Sequence, residues 1–508
     1  MSSEPIRGAA RLHELLALQA QRQPEATALW WQGRAISYAQ LQQRVTQLAR
    51  RLASVGETGE RIGVLAFNGP EFLELIYAAA ASGRILVPLN ARLAPAEWVY
   101  QLEAAGVSLL FGDTALLQAL RAHPQAPSLP MVDLQDAYRG WIGQGPQAPL
   151  PVTGAADPVW ILYTSGSTGR PKGAVLTHQS FLAGLASAAL ARPVLPGDIF
   201  LYPFPLFHVA AHNVLLQHQH GAAVVLLRAF SSAATLSACR ELNVTTLSLA
   251  PTMIAMLLDD PAFSPADLAS VRTIGYGASA MPETLLRRLL TETGVGLCQS
   301  YGMTELSGSA AFLTVEDHQQ AVAGQPELLR TVGRPLATVQ VKVVNEAGYE
   351  CETGVAGEIL VRGPQCMRGY WQQPEATASA LVDGWLHTGD IGRFDERGYL
   401  SIVDRKKDMI ISGGENVASR EVEEALRLHP AVRDCAVIGL PDPRWGEQVA
   451  AVVVLDGAAS DEELAAHCRS LLAGYKTPKA WRRVQALPLN AAGKVDKPAL
   501  RAGGGAQR

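Results

Sequence analysis

The chain has 508 residues, long enough for two or more domains. Apolar residues make up 48% and charged residues 18%, a balance that excludes a disordered chain. The formal net charge of -4 lacks the basic excess of a nucleic-acid surface, so no nucleic-acid partner is expected.

The first seven residues hold no basic segment followed by an apolar one, so no signal peptide is expected. Residues 10–120 alternate helical and strand patterns. Leu41, Val45, Leu48 and Leu52 stand at helical spacing, which predicts a helix over 38–52. Residues 61–66 read as a buried strand, 71–81 as a helix and 84–89 as another strand. That alternation predicts parallel α/β layers. Residues 123–158, rich in Pro, Gly, Gln and Ala, predict a long surface connection. The α/β alternation resumes over 158–400. A charged run at 404–408 (DRKKD) follows, then a small α/β unit to about residue 500. The tail at 502–508 is expected to fray.

A spanning helix needs about 20 apolar residues. The run at 181–191 stops at Arg192, and that at 73–89 is broken by Glu74 and Arg84. No membrane span is expected, and a cytoplasmic location is the default. Cys239, Cys298, Cys351, Cys366, Cys435 and Cys468 form no C-x-x-C pair and no zinc spacing, which predicts reduced, mostly buried thiols.

One segment carries a strong chemical signal. Residues 163–173 read YTSGSTGRPKG and follow the apolar Val159, Ile161 and Leu162, which places them at the end of a strand. Gly166 and Gly169 let the backbone wrap an anion. Thr164, Ser165, Ser167 and Thr168 supply hydroxyl donors to phosphate oxygens, and Lys172 adds positive charge. This is not a Walker A loop, because Gly173 follows Lys172 where Ser or Thr is required.

Further motifs follow in order: PLFH at 205–208, GASAMP at 277–282, QSYGMTE at 299–305, GWLHTGD at 384–390, DRKKD at 404–408, SGGENV at 412–417 and LPLNAAGKVDK at 487–497. Together with the loop they resemble the adenylate-forming superfamily. Its members include acyl-CoA synthetases, 4-coumarate:CoA ligases, nonribosomal adenylation domains and luciferases. The resemblance spans roughly residues 10–500. It implies an α/β fold with a large multi-subdomain N-terminal adenylation domain, residues 1–404. A small mobile α+β C-terminal domain, residues 405–500, and a flexible tail, 501–508, follow.

The resemblance also implies roles. His208 packs near the reacting carboxyl. Gly277, Ala278 and Ser279 form the adenine-binding segment, and Gln299 and Gly302 belong to the nucleotide set. Tyr301 stacks on adenine, Thr304 binds a phosphate, and Glu305 binds Mg²⁺, for which a hard carboxylate oxygen is suited. Asp390 grips the ribose hydroxyls, Arg405 reaches ribose or phosphate, and Lys407 is the hinge. Gly413 and Gly414 line a pantetheine tunnel. Lys494 is the catalytic lysine, stabilising charge that builds on the α-phosphate. Ahead of it this chain carries Leu489, Asn490, Ala491 and Ala492 where many relatives carry Arg-Thr or Arg-Asn, a difference that bears on loop docking.

The implied reaction has two steps. A carboxylate attacks the α-phosphate of MgATP, giving acyl-AMP and pyrophosphate. A thiol, coenzyme A, then takes the acyl group. The cofactors expected are ATP, Mg²⁺ and coenzyme A, in a stand-alone monomer or homodimer. By family position, the acyl pocket is expected near His212, Asn213, Met253, Gly275, Tyr276, Cys298 and Met303. These carry no Arg or Lys, which favours a neutral aromatic, alicyclic or medium-chain acid over a dicarboxylate. No Asp near residues 207–213 stands ready for an α-amine, which disfavours free amino acids. Transfer to an amine acceptor is an alternative with the same first step. A luciferase-type oxidation shares the motifs. A non-catalytic scaffold is expected to lack Lys494, Glu305 or Lys172, and all three are present.

Overall fold

The computed structural model describes residues 9–143, 147–164, 170–277, 281, 283–412, 415–490 and 493–503. The chain separates into two compact units. One is Met1–Val341 with Val361–Leu386, the other Lys342–Leu360 with His387–Arg508. The architecture is α/β, with a large N-terminal and a smaller C-terminal part.

Among the described residues, the first unit holds two large sheets. A seven-stranded sheet runs in the order Gly369–Tyr370, Lys172–Thr177, Pro158–Thr164, Ile85–Pro88, Arg61–Leu65, Val107–Gly112, Met131–Asp133. From Pro158–Thr164 to Met131–Asp133 the neighbours pair parallel. Parallel pairing needs a crossover, which the helices Pro70–Ala81 and Pro95–Ala105 supply. Pro70 opens the first of these, where its missing N–H costs no bond. Eleven residues of that helix are buried, so its apolar character runs all round rather than along one stripe.

The expected loop at 123–158 is in part structured. Met131–Asp133 adds an edge strand beside Val107–Gly112. Tyr138–Gly143 forms a short helix. Its Tyr138 ring is buried edge-on to Phe111, and its hydroxyl donates to Glu74 at 2.8 Å. An unpaired strand edge and a buried carboxylate were waiting for partners, and neither is visible in a Pro- and Gly-rich composition.

The second large sheet has nine strands in the order Arg334–Pro335, Gly308–Leu313, Gly296–Met303, Thr273–Gly277, Thr246–Leu249, Ile199–Tyr202, Ala223–Leu226, Thr27–Trp31, Arg34–Ser37. Its centre is parallel. The register sets Ser248, Gly275 and Cys298 side by side across three strands. Side chains alternate along a strand, so Tyr276 faces the opposite way from Gly275. The α/β alternation ends here. Between Ala323 and Arg405 strands pair antiparallel with partners close in the chain, as Leu381–Val382 with Leu386 and Trp385, and Trp385–Phe394 with Leu400–Arg405, show. Tight turns at Gly384 (φ 76°) and Gly398 (φ 79°) leave no chain for crossover helices.

A buried histidine ties this unit together. The ring of His218 is buried, with Nε2 3.0 Å from the Ala28 carbonyl and Nδ1 2.8 Å from the Tyr77 hydroxyl. A carbonyl only accepts, so Nε2 carries the proton and Nδ1 accepts from Tyr77. Burial lowers the ring pKa to about 4. His178 and His212 are lowered to about 4 for the same reason. A depressed folded pKa means full stability above the unfolded value near 6.5, with loss as pH falls through about 4. Each such ring is expected to destabilise the fold by about 3 kcal/mol at the acid end of that window. Denaturant midpoints should fall steeply between pH 7 and pH 5, and His218→Gln should flatten that slope. An unchanged midpoint over that range would contradict the assignment.

In the second unit, Val432–Asp442 pairs antiparallel with Gly446–Leu455, and Ala480–Arg483 lies parallel to the latter. Cys435, Val437, Val449, Ala451 and Val453 face a core closed by Val422, Leu426, Leu464 and Cys468, from the helices Ser419–Arg427 and Asp461–Leu471. The alternate residues Ala436, Ile438, Ala450, Val452 and Val454 face a second cluster with Leu487 and Leu500. A sheet covered on both faces explains the unbroken apolar run.

The second compact unit resumes at His387. Trp385–Phe394 and Leu400–Arg405 form one hairpin, with Asp390 opposite Arg405. Asp404 Oδ2 accepts from the Ser419 amide at 2.5 Å, and Arg501 donates to Asp408 at 2.9 Å. Those bonds tie the end of the hairpin and the turn after it to the helices Ser419–Arg427 and Lys497–Arg501. Among the described residues no helix is long and apolar enough to cross a membrane. All six cysteines are free thiols, and Cys239, Cys298, Cys435 and Cys468 are buried.

Candidate active site

The antiparallel pairing of Pro158–Thr164 with Lys172–Thr177 puts Thr164 opposite Lys172. Both ends of the phosphate-loop motif therefore meet. The loop residues Ser165, Gly166, Ser167, Thr168 and Gly169 lie outside the described residues, as do Ala278, Ser279, Gly413 and Gly414.

Glu305 comes from the other sheet of the same unit. Strand Gly296–Met303 ends in a 3-10 turn, Thr304–Leu306, that carries it. Its buried carboxylate accepts at Oε1 from the Thr164 hydroxyl at 3.3 Å and the Tyr370 hydroxyl at 3.0 Å. Its backbone carbonyl accepts from the Met367 amide at 2.7 Å. The Lys172 ammonium stands 5.2 Å from the centre of the Tyr370 ring. Burial, and then the Glu305 carboxylate, pushes the Tyr370 phenol well above its usual pKa, so it stays a donor. Thr164, Lys172 and Glu305 are thus brought together around Tyr370.

The strand bulges between Tyr301 and Gly302. A side chain at Gly302 would stand 2.0 Å from the Gly308 carbonyl, so only glycine fits. Gly277 ends its strand against the Ser300 carbonyl, at 2.7 Å from where a Cβ would be. Gln299 accepts at 3.3 Å from the Tyr276 hydroxyl, which also bonds His318 Nε2 at 2.9 Å. Tyr301 and Thr304 are half-buried. His208 precedes the turn Val209–Ala211, half-buried and edge-on to Phe207 at 4.9 Å.

The second unit gathers another set. Arg405 Nε donates to the buried Asp390 at 2.7 Å. Lys494 sits in a tight turn, where Asn490 N–H donates to its carbonyl at 2.7 Å and its own amide donates to Asn490 Oδ1 at 3.1 Å. Asn490, part of the departure from the family pattern, therefore closes this turn. Lys494 as a whole residue is exposed. Partial burial of the ammonium, and then the Arg405 charge, lowers its pKa, with Lys407 acting the same way and Asp390 opposing. Lys407 lies in an exposed turn inside this unit rather than at its edge.

The seven positions expected to line the acyl pocket divide. Gly275 and Cys298 share the row with Ser248. His212 and Met303 meet at Gly308: the His212 ring is 3.6 Å from where a Gly308 side chain would begin, and Met303 pairs with Gly308. The His212 ring hydrogen-bonds the Val209 carbonyl at 2.9 Å and is neutral at pH 7, its pKa lowered to about 4 by burial. Asn213 donates to the Ala210 carbonyl at 3.0 Å. The other two are elsewhere. Tyr276 is in the core on the opposite strand face, and Met253 packs on that same cluster.

Residues 16–371 match the family described as AMP-binding enzyme, and residues 421–494 match the AMP-binding enzyme C-terminal domain. The chain belongs to the AMP-binding enzyme family. It is an AMP-forming ligase. This AMP-binding enzyme is 39% identical over 490 residues to feruloyl-CoA synthase of Amycolatopsis sp, covering 95% of this chain and 97% of that protein. It is similar to o-succinylbenzoate CoA synthetase from Bacillus subtilis, solved with an acyl-adenylate intermediate. The TM-score is 0.86 at 31% identity, over 97% of this chain and 98% of that one. It is also similar to an amide bond synthetase from Marinactinospora thermotolerans, with TM-score 0.87 at 32% identity over 97% and 99% of the two chains.

Two residues of this AMP-binding enzyme escaped the sequence reading. Tyr370 lies 65 positions beyond Glu305, in a two-residue strand with no motif of its own. Arg192 registered only as the end of an apolar run. Its guanidinium lies over the row of Ser248, Gly275 and Cys298: a side chain at Gly275 would start 1.8 Å from Arg192 Nη1.

Proposed function

We propose that this ligase activates a carboxylic acid with MgATP as an acyl-adenylate and passes the acyl group to coenzyme A. The observation that carries the reading is the convergence of Thr164, Lys172 and the buried Glu305 around Tyr370. Cation and carboxylate stand together there beside a phosphate-loop motif. Magnesium fits this place: Glu305 offers a hard oxygen next to the Thr164 hydroxyl. Among the described residues no group of three or more His, Cys, Asp or Glu is placed to hold a metal ion, so phosphates and water would complete its shell. Bound there, it would neutralise phosphate charge.

The chain's own residues divide the rest of the work. Thr164, Lys172 and Thr304 hold phosphates. Gly277, Gln299, Tyr301 and Gly302 seat the base. Asp390, with Arg405 bonded to it at 2.7 Å, holds the ribose. His208 borders the reacting carboxylate, which is ionised at pH 7 and needs no strong base. Lys494 neutralises charge on the α-phosphate, and its pKa is lowered by burial and then by the Arg405 and Lys407 charges. For the second step, rotation at Lys407 carries Lys494 away from Arg405 and Asp390 and admits the thiol beside Gly413 and Gly414.

The Lys407 amide takes no part in the backbone bonds of its turn among the described residues, whereas those of Lys406 and Asp408 do. Lys407→Pro should therefore fold while stiffening the pivot. It is expected to slow acyl transfer from supplied acyl-AMP by about tenfold or more, with adenylation nearly unchanged. Normal overall turnover would remove the hinge role.

The similarity to an amide bond synthetase favours a second reading, in which an amine captures the acyl group. The test is pyrophosphate release with MgATP and a panel of carboxylic acids, with coenzyme A, with amines, or with neither. Turnover that requires coenzyme A and yields acyl-CoA by mass supports the first reading. Turnover that requires an amine transfers the enzyme to the second. No release with any acid overturns both.

A further inference from the structure

Arg192 caps the C-terminus of helix His178–Ala191, and its side chain reaches Ser248 and Phe200. Its guanidinium carbon stands 5.3 Å from the centre of the Phe200 ring, and Nη1 donates to Ser248 Oγ at 2.9 Å. Nη2 is buried with no hydrogen-bond partner among the described residues.

The neighbours do not supply an acceptor. Asp198 lies close enough to act on the Arg192 charge. Its carboxylate is already engaged by Arg272 at 2.8 and 2.9 Å, by Thr245 at 2.8 Å and by the Leu195 amide at 2.7 Å. Burial raises the Cys298 thiol to about 11, so it stays neutral. His212, also neutral, feels the Arg192 charge. Gly275 leaves the space that the guanidinium fills. A guanidinium whose Nη2 is buried and unbonded is a costly arrangement that an apolar side chain would relieve, unless a ligand completes it.

We infer that Arg192 determines specificity: its unbonded edge receives an oxygen acceptor on the acyl part of the acid, remote from the carboxylate that reacts. The inference rests on the acid-activating reading above. It replaces the expectation of a cation-free pocket, which came from seven positions that omitted Arg192. The substrate class becomes an acid with a largely apolar body and an oxygen at its far end. That oxygen is a carboxylate, a hydroxyl or a carbonyl, since a guanidinium bonds all three.

The experiment measures pyrophosphate release by the full chain with two matched sets of acids. One is cinnamate bearing 4-methyl, 4-hydroxy or 4-carboxy groups. The other is an eight-carbon chain ending in methyl, hydroxyl or carboxylate. In at least one set the oxygen-ended acid should exceed its methyl-ended partner in kcat/KM by about tenfold or more. Arg192→Met should abolish or reverse that preference with KM for ATP unchanged, and Arg192→Lys should keep part of it. A preference for methyl in both sets, or an unaltered preference in Arg192→Met, overturns the inference while leaving acid activation standing. Should Arg192→Met not fold, the wild-type ranking and Arg192→Lys decide. Failure of every acid to release pyrophosphate overturns the acid-activating reading, and this one with it.

Discussion

Lys494→Ala is expected to slow acyl-adenylate formation by about 10²–10³-fold while largely sparing transfer from supplied acyl-AMP. Lys494 is an exposed residue, so truncating it leaves no core cavity. Its turn is held by Asn490 through backbone atoms of residue 494, which alanine retains. Any loss therefore reports on the ammonium itself. A positioned cation acts where charge develops, and in the proposed reaction that charge lies on the α-phosphate of the first step. Pyrophosphate exchange measures the first half-reaction, and acyl-CoA formed from synthetic acyl-AMP measures the second. Equal loss in both would remove the assignment.

Glu305→Gln is expected to raise the Mg²⁺ concentration needed for half-maximal adenylation by about tenfold or more, and to lower the maximal rate by about 10²-fold. The substitution keeps an oxygen that can accept from Thr164 and Tyr370, the two bonds now made at 3.3 and 3.0 Å. Packing and thermal stability should stay close to wild type, because only the charge is removed. A magnesium titration of pyrophosphate exchange gives both numbers. An unchanged magnesium requirement would take the ion away from Glu305 and leave that carboxylate a structural acceptor for Tyr370.

The residues proposed to hold the nucleotide were legible because their chemistry is local. The register that sets Thr164 opposite Lys172 belongs to one hairpin, and Glu305 follows its strand by two residues. Glycines announce such places, since Gly302 stands where the Gly308 carbonyl allows no side chain. The acyl side was less legible. Gly275 and Tyr276 are neighbours in sequence, yet the strand turns them to opposite faces. A parallel strand buried on both sides is apolar throughout, so its pattern does not say which face meets the substrate.

By itself, then, the sequence determined the family, the order of the motifs, the α/β class and the residues whose chemistry suits a nucleotide. Tertiary structure alone decided the rest. It joined Tyr370 to Glu305, closed the Lys494 turn with Asn490, bound Asp404 to the Ser419 helix and laid Arg192 over Gly275. Several of these partners lie far apart in the chain and outside any motif. They meet only because sheet register and burial bring them together, and a buried polar group then takes whatever partner the fold has placed in reach.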